Sequence, residues 1–141
     1  MRTSAKVYAL DTNVILRFLT RDDPILYAKA EEIMKAVAEG RLTVSCDPIV
    51  LAEVVWVLKS AYKQSKQAIV AALEPIVKSD NVLMPEKSRY ALALNIFANT
   101  NAHFGDACVC AAALMDCDGR LISFDRKLTG ISGIERTEIP E

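Results

Sequence analysis

A chain of 141 residues, 52% of them hydrophobic and 25% charged, has the size and composition of one globular domain, residues 1–141, with a core of its own. A net charge of −1 excludes capture of nucleic acid by global attraction and leaves local basic patches for that purpose. No apolar run reaches the ~18 residues of a membrane span, and the opening MRTSAKVYALD meets an aspartate too early for a signal peptide, so no membrane association is expected.

In chain order, AKVYAL is a short β-rich run and predicts a first strand, followed by a short helix in TNVILRFLT. RDDPILYAKAEEIMKAVAEG predicts a second helix, with Asp22 or Asp23 as its cap, Pro24 at its first position and Gly40 as its stop. LTVSC is a second strand. DPIVLAEVVWVLKSAY is a helix capped by Asp47, with Pro48 at its first position. SKQAIVAALEPIVKSD starts on a Ser65 cap and is expected to kink near Pro75. NVLMP is a weaker third strand, and EKSRYALALNIFANT and GDACVCAAALMDC are helices. RLISF is a strand between the Asp118-Gly119 turn and Asp125, and IERTEI is a last strand. Strands alternating with helices predict an α/β fold with a mostly parallel central sheet covered on both faces.

Two apolar segments, VYAL and LISF, run straight into aspartates, Asp11 and Asp125. In open α/β sheets, ligands bind beyond the carboxyl ends of the strands, so both acids are candidates for one rim. Glu53 is the only charge in PIVLAEVVWVL, where helical spacing sets it beside Val50, Val54 and Val57. A carboxylate on an apolar face is costly unless it is paired or binds a metal. Asp106 opens the apolar helix FGDACVCAAAL. Structural roles stay open for three of them: helix caps at Asp11 and Asp106, where the latter also meets the helix dipole, and a turn at Asp125.

Clustered carboxylates raise one another's pKa and do not all ionise together without a cation. An all-oxygen acidic site suits Mg²⁺ or Mn²⁺, ions that activate water and clamp phosphodiester oxygens during in-line displacement. The single histidine, His103, excludes a two-histidine ribonuclease mechanism. There is no G-x-S-x-G elbow, no G-x-x-x-x-G-K-[ST] loop and no G-x-G-x-x-G. Cys46, Cys108, Cys110 and Cys117 form no C-x-x-C pair, which argues against zinc and for buried, reduced thiols in a cytoplasmic protein.

Taken in order, LDTNVILRFL, RDDP, LAEVVWVL, FGDACVCAAAL and SFDRKL carry a resemblance to PIN-domain ribonucleases, and within them to the VapC toxins of toxin–antitoxin pairs. The likeness runs from Val7 to Ile139. It implies a three-layer α/β/α fold and a Mg²⁺- or Mn²⁺-dependent endoribonuclease with an acidic pocket of Asp11, Glu53, Asp106 and Asp125. Asp11 and Asp106 would be the main metal ligands, Asp125 would complete the site directly or through water, and Glu53 would bind a second ion or position the attacking water. Asn13 and Ser123 fall where small polar residues support the acids. The resemblance also implies RNA as substrate, a homodimer and a cognate antitoxin protein as partner.

The chain departs from the expectation of a basic RNA-binding face. Lys59, Lys63 and Lys66 lie at helical spacing near Tyr62, Arg17 and Arg21 form a second pair, and Arg126 and Lys127 directly follow Asp125. Each is open to reading as a phosphate contact or as a solvated face. At 6% aromatic content, base stacking is not expected to dominate recognition. Asp116 and Asp118 read as solvated turn residues. Two other functions fit the acids: a PIN nuclease with a housekeeping role in RNA processing, and a non-nucleolytic acidic-pocket phosphatase or binding module. An aspartyl-nucleophile phosphatase typically has a second aspartate two residues on, where this chain has Asn13.

Overall fold

The computed structural model describes residues 6–140. The chain forms two compact units, Met1–Lys87 and Ser88–Glu141. Among the described residues no helix is long and apolar enough to cross a membrane.

The first unit contains β1 (Val7–Ala9), α1 (Thr12–Thr20), α2 (Pro24–Ala38), β2 (Thr43–Ser45), α3 (Pro48–Ser60), α4 (Lys66–Lys78) and β3 (Val82–Leu83). The predicted first strand is shorter than AKVYAL, and Ala5 lies outside the described residues. The strands pair in parallel in the order β1-β2-β3, with Ala9 opposite Ser45 and Ser45 opposite Leu83. That register brings the carboxyl ends of β1 and β2 to one rim, from which the chain turns directly into α1 and α3. The core is aliphatic, with Ile15, Val44, Leu51, Val54, Leu58, Ile69, Leu73, Val77 and Val82 fully buried.

The helix starts follow local chemistry. Asp23, not Asp22, caps α2, accepting from the amides of Ile25 and Leu26, with Pro24 at the first helical position. Asp47 caps α3 through the Ile49 amide, and Ser65 caps α4 through the Ala68 amide. Gly40 ends α2 with a φ of +77°, a conformation that glycine adopts without steric cost. α4 runs on through Pro75, with Leu73, Ile76 and Val77 buried on either side of it. α3 stops at Ser60, two residues short of the expected end, and Lys63 takes a left-handed φ of +55° in the loop.

The second unit contains α5 (Lys87–Asn99) from its second residue on, α6 (Phe104–Asp116), β4 (Arg120–Ile122), a 3₁₀ turn at Arg126–Gly130 that the sequence reading did not foresee, and β5 (Glu135–Thr137). β4 and β5 pair in parallel, with Leu121 opposite Arg136. All the strand pairing is thus parallel, divided among the described residues into a three-stranded and a two-stranded sheet. Phe97 and Phe104 meet edge to face, centroids 5.8 Å apart, and join α5 to α6. Arg89 of α5 is ion-paired with Asp116 at the end of α6. Asp118 is an exposed turn residue, as expected, whereas Asp116 is the last residue of α6 and, though exposed, is held by Arg89 and not by a turn.

Candidate active site

In the first unit, Asp11 stands two residues beyond the end of β1 and opens α1. It is exposed, and its Oδ1 accepts from the Thr12 amide at 2.9 Å. That partner is the first helical residue, whereas Asp23, Asp47 and Ser65 all accept from the second or third, as efficient caps do. Asp11 is therefore a poor cap in a position where a good one would be easy to make. Glu53 lies in the second turn of α3, and α3 packs against α1. Its side chain is exposed, although Val54 is buried and Val50 and Val57 are half-buried. This corrects the argument that drew attention to it. The Glu53 charge remains in water, so no burial cost demands a partner.

In the second unit, Asp106 is half-buried in the first turn of α6, whose cap position, His103, offers no side-chain hydrogen bond. An anion there faces the unsatisfied amides and positive end of the helix. Asp125 is half-buried just beyond β4 and caps the 3₁₀ turn, its Oδ1 accepting from the Lys127 amide at 3.0 Å. Burial pushes the Cys110 thiol's pKa up, and the negative charges of Asp106 and Asp125 push it further in the same direction, so both carboxylates act electrostatically on one thiol.

Among the described residues no group of three or more His, Cys, Asp or Glu side chains is gathered closely enough to hold a metal ion. The Asp106–Asp125 pair still fits a hydrated ion, because Mg²⁺ usually keeps several waters and takes only one or two protein carboxylates. The donors are hard oxygens. The nearby thiol, a softer ligand, is held protonated by its surroundings.

Ser123 does support Asp125 locally: its Oγ accepts from the Asp125 amide at 3.1 Å. Asn13 is exposed on α1 and has no such role in the hydrogen bonds of Asp11, whose carboxylate accepts from Thr12. The basic candidates divide. Arg126 and Lys127 are exposed immediately after Asp125. Lys59 and Lys63 do not share a helical face, because α3 ends between them. Arg17 is paired with Asp22 at 3.4 Å, and Arg21 lies over the Tyr27 ring, 4.9 Å from its centroid, so both have structural partners. Of the thiols, Cys46 and Cys110 are buried and Cys108 half-buried; burial raises Cys46 and Cys108 to about 11. Cys117 is exposed at the end of α6, which corrects the expectation that all four are buried.

Arg136 is the residue that sequence reading passed over. From β5 its guanidinium donates through Nε to Thr129 Oγ1 at 2.7 Å and through Nη1 to the Ser123 carbonyl at 2.7 Å and to Glu138 Oε2 at 3.2 Å. Nothing in the spacing of IERTEI singles it out; a cation inside a predicted strand was the only signal.

No curated protein matches the chain. A family model described as PIN domain matches residues 8–133, a span across both units that includes Asp11, Glu53, Asp106 and Asp125. The chain belongs to the PIN-domain family.

Proposed function

We propose that this protein is a divalent-metal-dependent endoribonuclease, the toxin of a toxin–antitoxin pair, with Asp11, Glu53, Asp106 and Asp125 as its working acids in a single PIN domain. PIN domains are typically nucleases and generally use divalent metals. The observation that carries the reading for this chain is the PIN-domain match over residues 8–133, a span that includes all four acids, and the charges of Asp106 and Asp125 both act on the Cys110 thiol. Two half-buried carboxylates whose charges both reach one thiol are hard donors that a cation would stabilise. Mg²⁺ or Mn²⁺ bound there would supply water activation and charge neutralisation at a phosphodiester.

The side chains divide that work. Asp106 lies in the first turn of α6, where the positive end of the helix dipole favours a carboxylate. Asp125 is oriented by the turn that it caps. Asp11, whose carboxylate accepts from one adjacent amide among the described residues, has acceptor capacity to spare. Glu53, exposed on α3, suits a base or water-positioning role better than a buried ligand role. Arg126 and Lys127 supply cations beside Asp125 for substrate phosphates. The toxin assignment and its antitoxin partner rest on the ordered motif likeness. A homodimer is supported by exposed apolar residues on α2 and α3, among them Ile25, Ile49 and Trp56.

The test is cleavage of RNA by the purified protein with Mg²⁺, with Mn²⁺ and with EDTA, beside Asp106→Asn. Expected are metal-dependent cleavage, its loss in the variant, and a Mn²⁺-dependent rise in melting temperature that the variant loses. A site at ~100 times its dissociation constant adds about 2.7 kcal/mol, several degrees for a domain of this size. Cleavage that persists in EDTA would overturn the metal-dependent reading.

A further inference from the structure

We propose that Arg136 is a positioning residue that sets the orientation of the Asp125 carboxylate; this rests on the reading of Asp125 as a working acid. The turn between β4 and β5 leaves the sheet at Ser123, presents Asp125, Arg126 and Lys127, and passes Thr129 before it returns. The guanidinium of Arg136 holds both sides of that turn, the carbonyl of Ser123 at its start and the hydroxyl of Thr129 near its end, each at 2.7 Å. Only 14% of the Arg136 side chain is exposed, although the Thr129 hydroxyl that it reaches lies at the surface, and Glu138 accepts from the same group at 3.2 Å. The turn is also pinned by the backbone, where the Ser123 amide donates to the Thr137 carbonyl at 3.1 Å.

From Ser123 the constraint passes to Asp125. Ser123 Oγ accepts from the Asp125 amide, and Asp125 Oδ1 accepts from the Lys127 amide. Fixing the Ser123 backbone therefore fixes the donor–acceptor chain that aims the carboxylate. A planar guanidinium suits this task because its fork reaches two acceptors at a set angle, which a lysine ammonium on a flexible stem does not. The same clasp sets where Arg126 and Lys127 stand, since they belong to the turn.

The experiment compares wild type, Arg136→Lys, Thr129→Val, Asp125→Asn and, as a control, Arg120→Lys, whose cation pairs with exposed Asp118. Mn²⁺ affinity is measured by electron paramagnetic resonance of the free ion, and stability by urea unfolding in EDTA. Groups that orient metal-binding side chains typically change affinity 10- to 100-fold when mutated. Arg136→Lys is expected to weaken Mn²⁺ about 10-fold, Thr129→Val less but in the same direction, and Arg120→Lys not at all. A purely structural arginine would lower the urea midpoint and leave the Mn²⁺ affinity of the folded protein where it was, and that result overturns the proposal. If Arg136→Lys does not fold, Thr129→Val decides: unchanged Mn²⁺ affinity in that variant overturns the proposal. Failure of the underlying reading looks different, because Asp125→Asn itself would then leave Mn²⁺ binding intact. Weakening by Asp125→Asn without weakening by Arg136→Lys keeps the site and rejects the clasp.

Discussion

Two aspartates that both open helices behave differently, and the difference is measurable. Asp23 accepts from two amides at 3.0 and 3.1 Å, while Asp11 accepts only from its immediate neighbour. Asp23→Ala is expected to cost about 1 kcal/mol of stability. Asp11→Ala is expected to cost less than half of that, because the bond lost is not one that closes the helix end. Urea unfolding of both variants in EDTA checks this; equal losses would make Asp11 an ordinary cap. Asp22 shows a different kind of structural carboxylate. Its pKa is lowered, first by the Tyr62 hydroxyl at 2.5 Å, then by the Thr20 hydroxyl, with Arg17 adding a smaller contribution. A carboxyl whose folded pKa is depressed contributes stability that is fully present above its unfolded value. That contribution is lost as pH falls through the folded value. The stability gap between wild type and Tyr62→Phe should accordingly be constant near neutrality and shrink only on the acid side of the ordinary aspartate range. A gap that widened on acidification would contradict this origin.

At the scale of elements, the junction of α6 and β4 is the most tightly specified. Gly119 has a φ of +80°, and a Cβ placed there would stand 2.0 Å from the Gly133 carbonyl oxygen. Its amide donates to the Ala113 carbonyl, and its own carbonyl accepts from the Glu135 amide, so the residue closes α6 and starts the β4–β5 pairing together. The Asp118-Gly119 pair was expected as a turn; that the turn also abuts the second glycine depends on β5 and is invisible in the local sequence. Gly119→Ala combines a left-handed backbone cost of roughly 1–2 kcal/mol with a backbone clash. A loss of at least ~2 kcal/mol in thermal or urea unfolding is expected, and a near-neutral result would show that the two backbones can separate.

For the whole molecule, the exposed apolar residues pose the main question. Trp56 is 69% exposed and Ile49, two turns earlier on α3, is 63% exposed. Seven-residue spacing puts them on one helical face. A large exposed tryptophan is an expensive surface residue and a frequent anchor of interfaces. In the proposed homodimer, Trp56→Glu should shift the sedimentation profile from dimer to monomer at micromolar concentration, with the fold intact by circular dichroism. A wild type that sediments as a monomer would remove the dimer from the reading.

The sequence by itself determined the order of the α-helices and strands, the caps at Asp47 and Ser65, the stop at Gly40, and the placing of Asp11 and Asp125 just past strand ends, but not the 3₁₀ turn at Arg126–Gly130. These depend on hydrogen bonds within a few residues and on the period of the apolar pattern, both of which are written locally. Only tertiary structure decided that Glu53 is exposed and not buried, that α3 ends before Lys63, that Asp106 and Asp125 bear on one thiol, and that Arg136 clasps the turn carrying Asp125. Burial and side-chain partnership are properties of what packs from elsewhere in the chain, and a helical face that reads as apolar on one side of a carboxylate does not say whether anything comes to cover the other.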